Sequence, residues 1–145
     1  MLCELGSQVD VRLAIDVSDI SEYDAVIVGS AIYRFNWLSG ALRFLKRHER
    51  TLSSIPVAYF IVCSALKEDT PENREAVMVF VNPVLEAFPE IVPVEVGRFA
   101  GAVDFSKYNI FETIIMKIIG FKKSEDWRDW DKIRIWAEDV SDLLD

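Results

Sequence analysis

Two short segments of the sequence combine small, polar and aromatic residues in a pattern suited to a flat ligand. In residues 29–37, glycine and serine precede Tyr33 and Trp37, so a planar ring could approach the backbone and be covered by an aromatic side chain. Residues 63–69 offer backbone N–H groups, a hydroxyl and a cation. Together they predict a slot for a planar, hydrogen-bonding ring system. The alternative is that the aromatic residues cap the end of a sheet and pack on a helix.

Other kinds of chemistry have little support in the sequence. Neither phosphate-loop signature, G-x-x-x-x-G-K-[ST] or G-x-G-x-x-G, is present, and there is no G-x-S-x-G nucleophile motif. With His48 alone, a Ser-His-Asp or Cys-His triad has little room, and Cys3 and Cys63 form no C-x-x-C pair. No metal site is therefore expected. An acidic cluster around one turn is interpreted as a solvated surface: Asp16, Asp19, Glu22 and Asp24.

Length and composition indicate one globular domain, residues 1–145. Hydrophobic residues make up 51% of the 145 residues, and the formal net charge is −8, which disfavours binding to nucleic acid. No stretch has the roughly 18 uninterrupted apolar residues of a membrane span, and no secretory leader is evident at the start. A cytoplasmic protein with free thiols is expected, peripheral to a membrane at most.

Short apolar runs alternate with amphipathic helical patterns along the chain. Strands are predicted at residues 9–15, 23–30, 56–63 and 92–99. A helix follows Ser39, which is predicted to be its N-cap; a second spans residues 70–88 and should be kinked or split by Pro83. Two further helices are predicted from Ile110 and from near Asp129. This alternation predicts an α/β fold in which helices cover both faces of a parallel sheet. Ligands of such sheets bind at the carboxyl ends of the strands, where both candidate segments lie.

Three segments resemble one known family. Residues 24–33, DAVIVGSAIY, resemble the third strand and flavin loop of flavodoxin-like proteins. Residues 99–105, FAGAVDF, and residues 126–133, DWRDWDKI, followed by Trp136 and Ala137, resemble the branch related to menaquinone-dependent protoporphyrinogen oxidase. The resemblance extends from about residue 9 to residue 144.

The resemblance implies a flavodoxin-like three-layer fold, with strand order 2-1-3-4-5, that binds FMN for electron transfer or for oxidation of a substrate. A redox partner, a quinone or a porphyrin would be the partner molecule, and no acid or base residue is assigned because the flavin carries the chemistry. The alternative is a flavodoxin-like subunit or interaction module that no longer binds flavin. Carried over by position, the residues lining the flavin would be Ser30, Ala31, Ile32, Tyr33, Trp37, Ser64, Ala65 and Leu66.

The start of the sequence departs from the family pattern. Flavodoxins begin with a central strand and a loop that wraps the FMN phosphate at a helix N-terminus. Residues 1–6 instead resemble the end of that helix, with Gly6 as its C-cap. The expectation is therefore that the first, central strand and the phosphate loop are missing, that FMN binds weakly or not at all, and that the exposed strand edge favours a homo-oligomer.

Residues 106–123 form a further distinctive segment, with a wide apolar helix face and four lysines. The resemblance suggests an inserted helix that meets a substrate or a membrane quinone. The preferred interpretation is that this face packs on the sheet like that of an ordinary helix. The lysines would permit weak contact with anionic lipid.

Overall fold

The computed structural model describes residues 2–107, 109–118 and 123–144. Apolar, largely β-branched runs form the strands, and the helices follow them in alternation. In chain order the strands are β1 (Val26–Tyr33), β2 (Asn36–Trp37), β3 (Val57–Val62), β4 (Val96–Phe99), β5 (Ala102–Val103) and β6 (Glu125–Asp126). The α-helices are α1 (Ser39–Leu52), α2 (Pro71–Ala76), α3 (Asn82–Ala87), α4 (Ile110–Ile118) and α5 (Trp130–Leu144). Short 3-10 helices span Leu2–Leu5, Ala14–Asp16, Ser64–Lys67, Val77–Phe80 and Phe105–Lys107.

Strands β1, β3 and β4 form the parallel sheet that the sequence predicts. The main sheet has the order β2-β1-β3-β4. Val26 pairs with Val57 at one end of the β1–β3 ladder, and Ala31 pairs with Val62 at the other. Strand β2 folds back antiparallel on the last two residues of β1. A separate antiparallel ribbon joins β5 to β6.

Helices cover both faces of this sheet, as predicted. One face of β1 and β3 packs under α1, the 3-10 helix Val77–Phe80 and α3, with Leu45 and Tyr59 completely buried there. On the opposite face, the indole of Trp136 in α5 meets the ring of Phe60 edge-on at 6.1 Å and that of Phe99 at 5.4 Å. These three half-buried rings form a second, smaller apolar cluster on this face.

The apolar face of α4 takes no part in this cover. Ile110 is 72% exposed, Phe111 is 75% exposed and Ile114 is 50% exposed. Side chains at positions 110 and 114 lie on the same side of a helix, and position 111 is adjacent to them. The preferred expectation, that this face packs on the sheet, is therefore wrong for these three side chains. Among the described residues, no helix is long and apolar enough to cross a bilayer.

The second predicted helix is split, as Pro83 suggests. Thr70 caps α2 by accepting a hydrogen bond from the Asn73 N–H at 3.2 Å, and Pro71 is the first helical residue. The chain then tightens into the 3-10 helix Val77–Phe80 before α3 begins at Asn82. Proline lacks an N–H donor and clashes with the preceding turn, so one continuous helix cannot form.

The strand predicted at residues 9–15 is wrong. The segment has no ladder partner among the described residues, and it ends in the 3-10 helix Ala14–Asp16. Its alternating apolar side chains remain in solvent, with Val11 93% exposed and Leu13 67% exposed. The backbone N–H and C=O groups of an isolated extended segment have no neighbouring strand to pair with. Alternation of apolar residues alone therefore does not form a strand.

The sequence predicts that the strand next to β1 is missing. Among the described residues, no other strand occupies that position. From Val26 to Ala31, β1 pairs with β3 on one side, and no described strand pairs with it on the other. Gly29, in the middle of this stretch, is exposed. The edge therefore carries unpaired backbone donors and acceptors over most of its length.

Candidate functional site

The register of the sheet brings the two candidate segments to one edge. Ala31 of β1 lies opposite Val62 of β3. Tyr33 and Ser64 each follow two residues later, and adjacent strands lie about 5 Å apart. The carboxyl ends of β1 and β3 therefore form one continuous rim, which is the region of a parallel sheet where ligands bind.

Four of the residues predicted to line a flavin are exposed on this rim: Ala31, Tyr33, Ser64 and Ala65. Ile32 is half-buried beside them. The Tyr33 ring is 53% exposed, and the Arg34 guanidinium lies over it at 5.4 Å from the ring centroid. The rim thus presents an accessible aromatic ring next to small residues, a surface on which a planar ligand can stack.

Three of the predicted residues belong to the core instead: Ser30, Trp37 and Leu66, each 4% exposed or less. The indole of Trp37 packs edge-on against the ring of Tyr59, with the centroids 5.4 Å apart. Their buried side chains therefore do not face a ligand at the rim.

Ser30 has a structural task at the start of α1. Its Oγ accepts a hydrogen bond from the Leu38 N–H at 2.9 Å and donates one to the Ala31 carbonyl oxygen at 2.9 Å. Leu38 is the N-cap residue, so the predicted cap at Ser39 is wrong; Ser39 is the first residue of the helix. The hydroxyl from the strand end supplies a hydrogen bond at the helix start that a local cap would otherwise supply.

A strained two-residue turn closes the rim between β1 and β2. Arg34 and Phe35 both have positive φ, 48° and 65°. Two consecutive positive φ values are required by the tightest hairpin turns, which normally recruit glycine or asparagine. Phe35 is 80% exposed and lies 6.2 Å from the ring of Phe80. The turn holds a large apolar side chain in solvent beside the candidate site.

A small cavity opens at the same edge, on the β4 side. Its volume is about 110 Å³, below the roughly 300 Å³ at which ligand pockets begin. Of the predicted flavin residues, Leu66 alone lines it, together with Lys67, Arg98 and Lys132 and their acidic neighbours Asp69 and Asp129.

Asp69 is the electrostatic centre of this cavity. Its carboxylate accepts hydrogen bonds from the Arg74 guanidinium and from the Lys132 ammonium. These contacts hold the pKa of Asp69 well below its usual range. Because Lys132 belongs to α5, the cluster ties that helix to the turn after β3. This cluster could not be predicted from the sequence, because residues 69 and 132 come together only in the folded chain.

The described residues fit the ring of a flavin better than its phosphate. Tyr33, Ala31 and Ser64 offer an exposed aromatic face, room and a hydroxyl. No Gly-, Ser- or Thr-rich loop leads into a helix at this edge within residues 2–107, 109–118 and 123–144, so these residues supply no phosphate cradle of the usual kind.

Comparison with known proteins agrees with the fold. The family model described as the flavodoxin domain matches residues 2–131. A protoporphyrinogen IX dehydrogenase [quinone] of Leishmania major is 28% identical over 155 residues, which cover 97% of this chain and 66% of that protein. The enzyme of the same name from Escherichia coli K12 is 24% identical over 157 residues, covering 99% and 84%.

No solved structure matches the chain significantly. The family match covers most of the chain, and the similar proteins are dehydrogenases, so together they support a flavodoxin-like oxidoreductase. The chain belongs to the flavodoxin domain family.

Proposed function

We propose that this chain transfers electrons through FMN bound at the rim formed by the carboxyl ends of β1 and β3. The reduced substrate is of the porphyrinogen type and the acceptor is a quinone, as in the names of the similar proteins. The observation that carries the proposal is the exposed rim itself, with Tyr33 accessible at the strand end in a chain of this family.

The chain's own residues would bind and orient the ring. Tyr33 stacks against one side of it, and Ala31 leaves space that a larger side chain would fill. The Ser64 hydroxyl and the Ala65 main-chain N–H donate hydrogen bonds to the polar edge of the ring. When bound, FMN supplies reversible two-electron chemistry, so the protein need only position and tune it.

Proton transfer by a histidine is not part of this proposal. The one histidine of the sequence, His48, is buried in the second half of α1, where its ring packs on Phe44 at 4.8 Å. Helix α1 runs back from the rim toward the start of β3. His48 therefore lies toward the amino ends of the parallel strands, away from the rim. A proton released by the substrate would pass to solvent.

A second candidate function is that of a flavodoxin-like subunit that does not bind flavin. It is favoured by the burial of Ser30, Trp37 and Leu66, and by the lack of a phosphate cradle among the described residues. In this case the rim would be a remnant of the family's site, and the chain would act through contacts with other proteins.

Titration of the purified chain with FMN, followed by flavin fluorescence, tests the proposal. Ala31→Trp should weaken FMN binding at least tenfold, since its indole occupies the exposed strand end. Tyr33→Ala should weaken it by up to about tenfold, the value of one aromatic contact. Val92→Trp is the matched control, because Val92 is 77% exposed and lies outside both segments. Saturable binding that all three variants retain unchanged would place the flavin elsewhere, and absence of binding would favour the second candidate.

A further inference from the structure

The small cavity on the β4 side of the rim is lined by cationic residues from three separate elements. Lys67 ends the 3-10 helix that follows β3. Arg98 belongs to β4, and its Nη1 lies 3.5 Å from the Arg74 carbonyl oxygen in α2. Lys132 comes from α5, which covers the opposite face of the sheet. The cavity therefore lies at the carboxyl edge of the sheet, between the two helix layers.

Two of these cations have no carboxylate partner. Asp69 is already shared by Arg74 and Lys132. Lys67 is exposed and Arg98 is half-buried, and within the described part of the chain neither of them forms an ion pair. An anion that enters the cavity would accept charge-assisted hydrogen bonds from both, and such bonds are shorter and stronger than those between neutral groups.

The size and the other lining residues of the cavity fit a carboxylate group. A volume of about 110 Å³ is too small for a ring system, but it is several times the roughly 30 Å³ that one water molecule occupies in the liquid. Asp69 and Asp129 line the same opening and would repel the second negative charge of a phosphate group. Phe99 and Trp127 add aromatic walls. The lining therefore fits a singly charged anion at the end of a short hydrocarbon arm.

The cavity lies close to the proposed flavin site. Ser64 and Lys67 are the first and last residues of one 3-10 helix, so their Cα atoms lie about 6 Å apart. Strand β4 is the direct neighbour of β3, about 5 Å away. A planar substrate that stacks at the rim would therefore bring a short carboxylate-bearing arm within reach of the Lys67 side chain and of the cavity.

We propose that Lys67 and Arg98 bind a carboxylate arm of a tetrapyrrole substrate and so fix its orientation at the rim. Protoporphyrinogen IX, the compound in the names of the similar proteins, carries propionate groups on its ring. The identity of the substrate rests on the proposed function, whereas the carboxylate site rests on the cavity and its unpaired cations. Neither residue takes part in electron transfer, so their removal should weaken substrate binding and leave flavin binding unchanged.

Binding of protoporphyrin IX, the stable oxidised form of this substrate, tests the proposal without any flavin. Porphyrin fluorescence is followed in a nonionic detergent that keeps the porphyrin monomeric. The wild-type chain should bind the free acid at least tenfold more tightly than the bis-propionamide, which keeps the ring and lacks the charges. Lys67→Gln with Arg98→Gln should abolish this preference by weakening binding of the acid alone. Lys67→Gln by itself, at an exposed position, should reduce the preference about threefold.

The matched control removes two cations elsewhere. Arg43→Gln with Arg50→Gln alters the net charge by the same amount, and because both residues are exposed on α1, outside the cavity, the preference for the acid should persist. Three results would overturn the proposal: equal binding of acid and amide by the wild-type chain, a preference that the Lys67 and Arg98 variant retains, or an equal loss in the control.

Two further outcomes separate this site from the flavin site. If the Lys67 and Arg98 variant binds FMN more weakly but riboflavin equally well, the cavity belongs to the flavin phosphate and the proposal is overturned. A wild-type chain that prefers the acid but binds no flavin would support the carboxylate site and refute the proposed electron transfer.

Discussion

Replacing Tyr59 with phenylalanine tests the core that holds the rim in place. The Tyr59 side chain is completely buried, and its Oη has no hydrogen-bond partner within the described chain. A buried hydroxyl without a partner costs about 1–3 kcal/mol of stability. The phenylalanine ring keeps the contact with Trp37, so the free energy of unfolding should stay the same or rise by about 1 kcal/mol.

The same substitution changes how stability depends on pH. Burial raises the pKa of Tyr59 from 10.0 to about 12. The unfolded chain therefore loses this proton more readily than the folded chain. The stability associated with the protonated hydroxyl is fully present below about pH 10 and is lost as the pH rises toward 12. The loss reaches about 3 kcal/mol at most, and it is missing from the phenylalanine variant.

Urea unfolding of both proteins at about pH 7 and about pH 11 measures these effects. At neutral pH, the free energy of unfolding of Tyr59→Phe should equal or exceed that of the wild type. At alkaline pH, this difference should become larger in favour of the variant. Tyr33→Phe is the control, because the Tyr33 ring is half exposed and the change should have little effect at either pH. A loss of more than about 1 kcal/mol in Tyr59→Phe at neutral pH would show that the hydroxyl makes a hydrogen bond, and would refute the described packing around Trp37.

Three further substitutions test local features by urea unfolding. Gly29→Ala should lower the free energy of unfolding by about 1–3 kcal/mol, because the new Cβ would overlap the Phe60 ring. Phe60→Leu in the same chain should recover part of this loss, and additive losses would contradict the contact. Ser30→Ala should lower the free energy of unfolding by about 1 kcal/mol, because it removes the acceptor of the Leu38 N–H. An unchanged urea midpoint would contradict this role. The two cationic partners of Asp69 lower the pKa of its carboxyl, so the wild type has extra stability above about pH 4 that it loses as the pH falls. Asp69→Asn should remove this stability, about 1 kcal/mol at neutral pH. Identical pH profiles of unfolding for the two proteins would contradict this contribution.

The parallel sheet could be predicted from sequence because its strands are continuous apolar runs between turn signals. Residues 57–62 are buried on both faces for much of their length, which is typical of a parallel strand, whereas in residues 26–33 one face is exposed from Gly29 onward. The split of the helix at residues 70–88 was equally predictable, since the effect of Pro83 on a helix is local. The segment at residues 9–15 failed because a strand depends on a partner, which alternation cannot reveal.

The candidate site could be located but not resolved in detail. The segments at residues 29–37 and 63–69 do meet at one edge, because topology fixes where parallel strands end. Which side chains face outward was not predictable: Tyr33 points to solvent, whereas Trp37 turns into the core. The strand continues to Tyr33 and reverses at a positive-φ turn without glycine, which propensities do not anticipate.

We propose that this chain binds a flavin through its ring at the rim of β1 and β3, with little contribution from the phosphate. Comparing the dissociation constants of riboflavin and FMN by fluorescence titration tests it most directly. We expect saturable binding of both, with dissociation constants within about threefold of each other, because in this proposal the described residues bind the ring and supply no phosphate cradle. FMN binding at least tenfold tighter than riboflavin would contradict the claim by revealing a phosphate site, and binding of neither would contradict it by leaving the rim without a flavin.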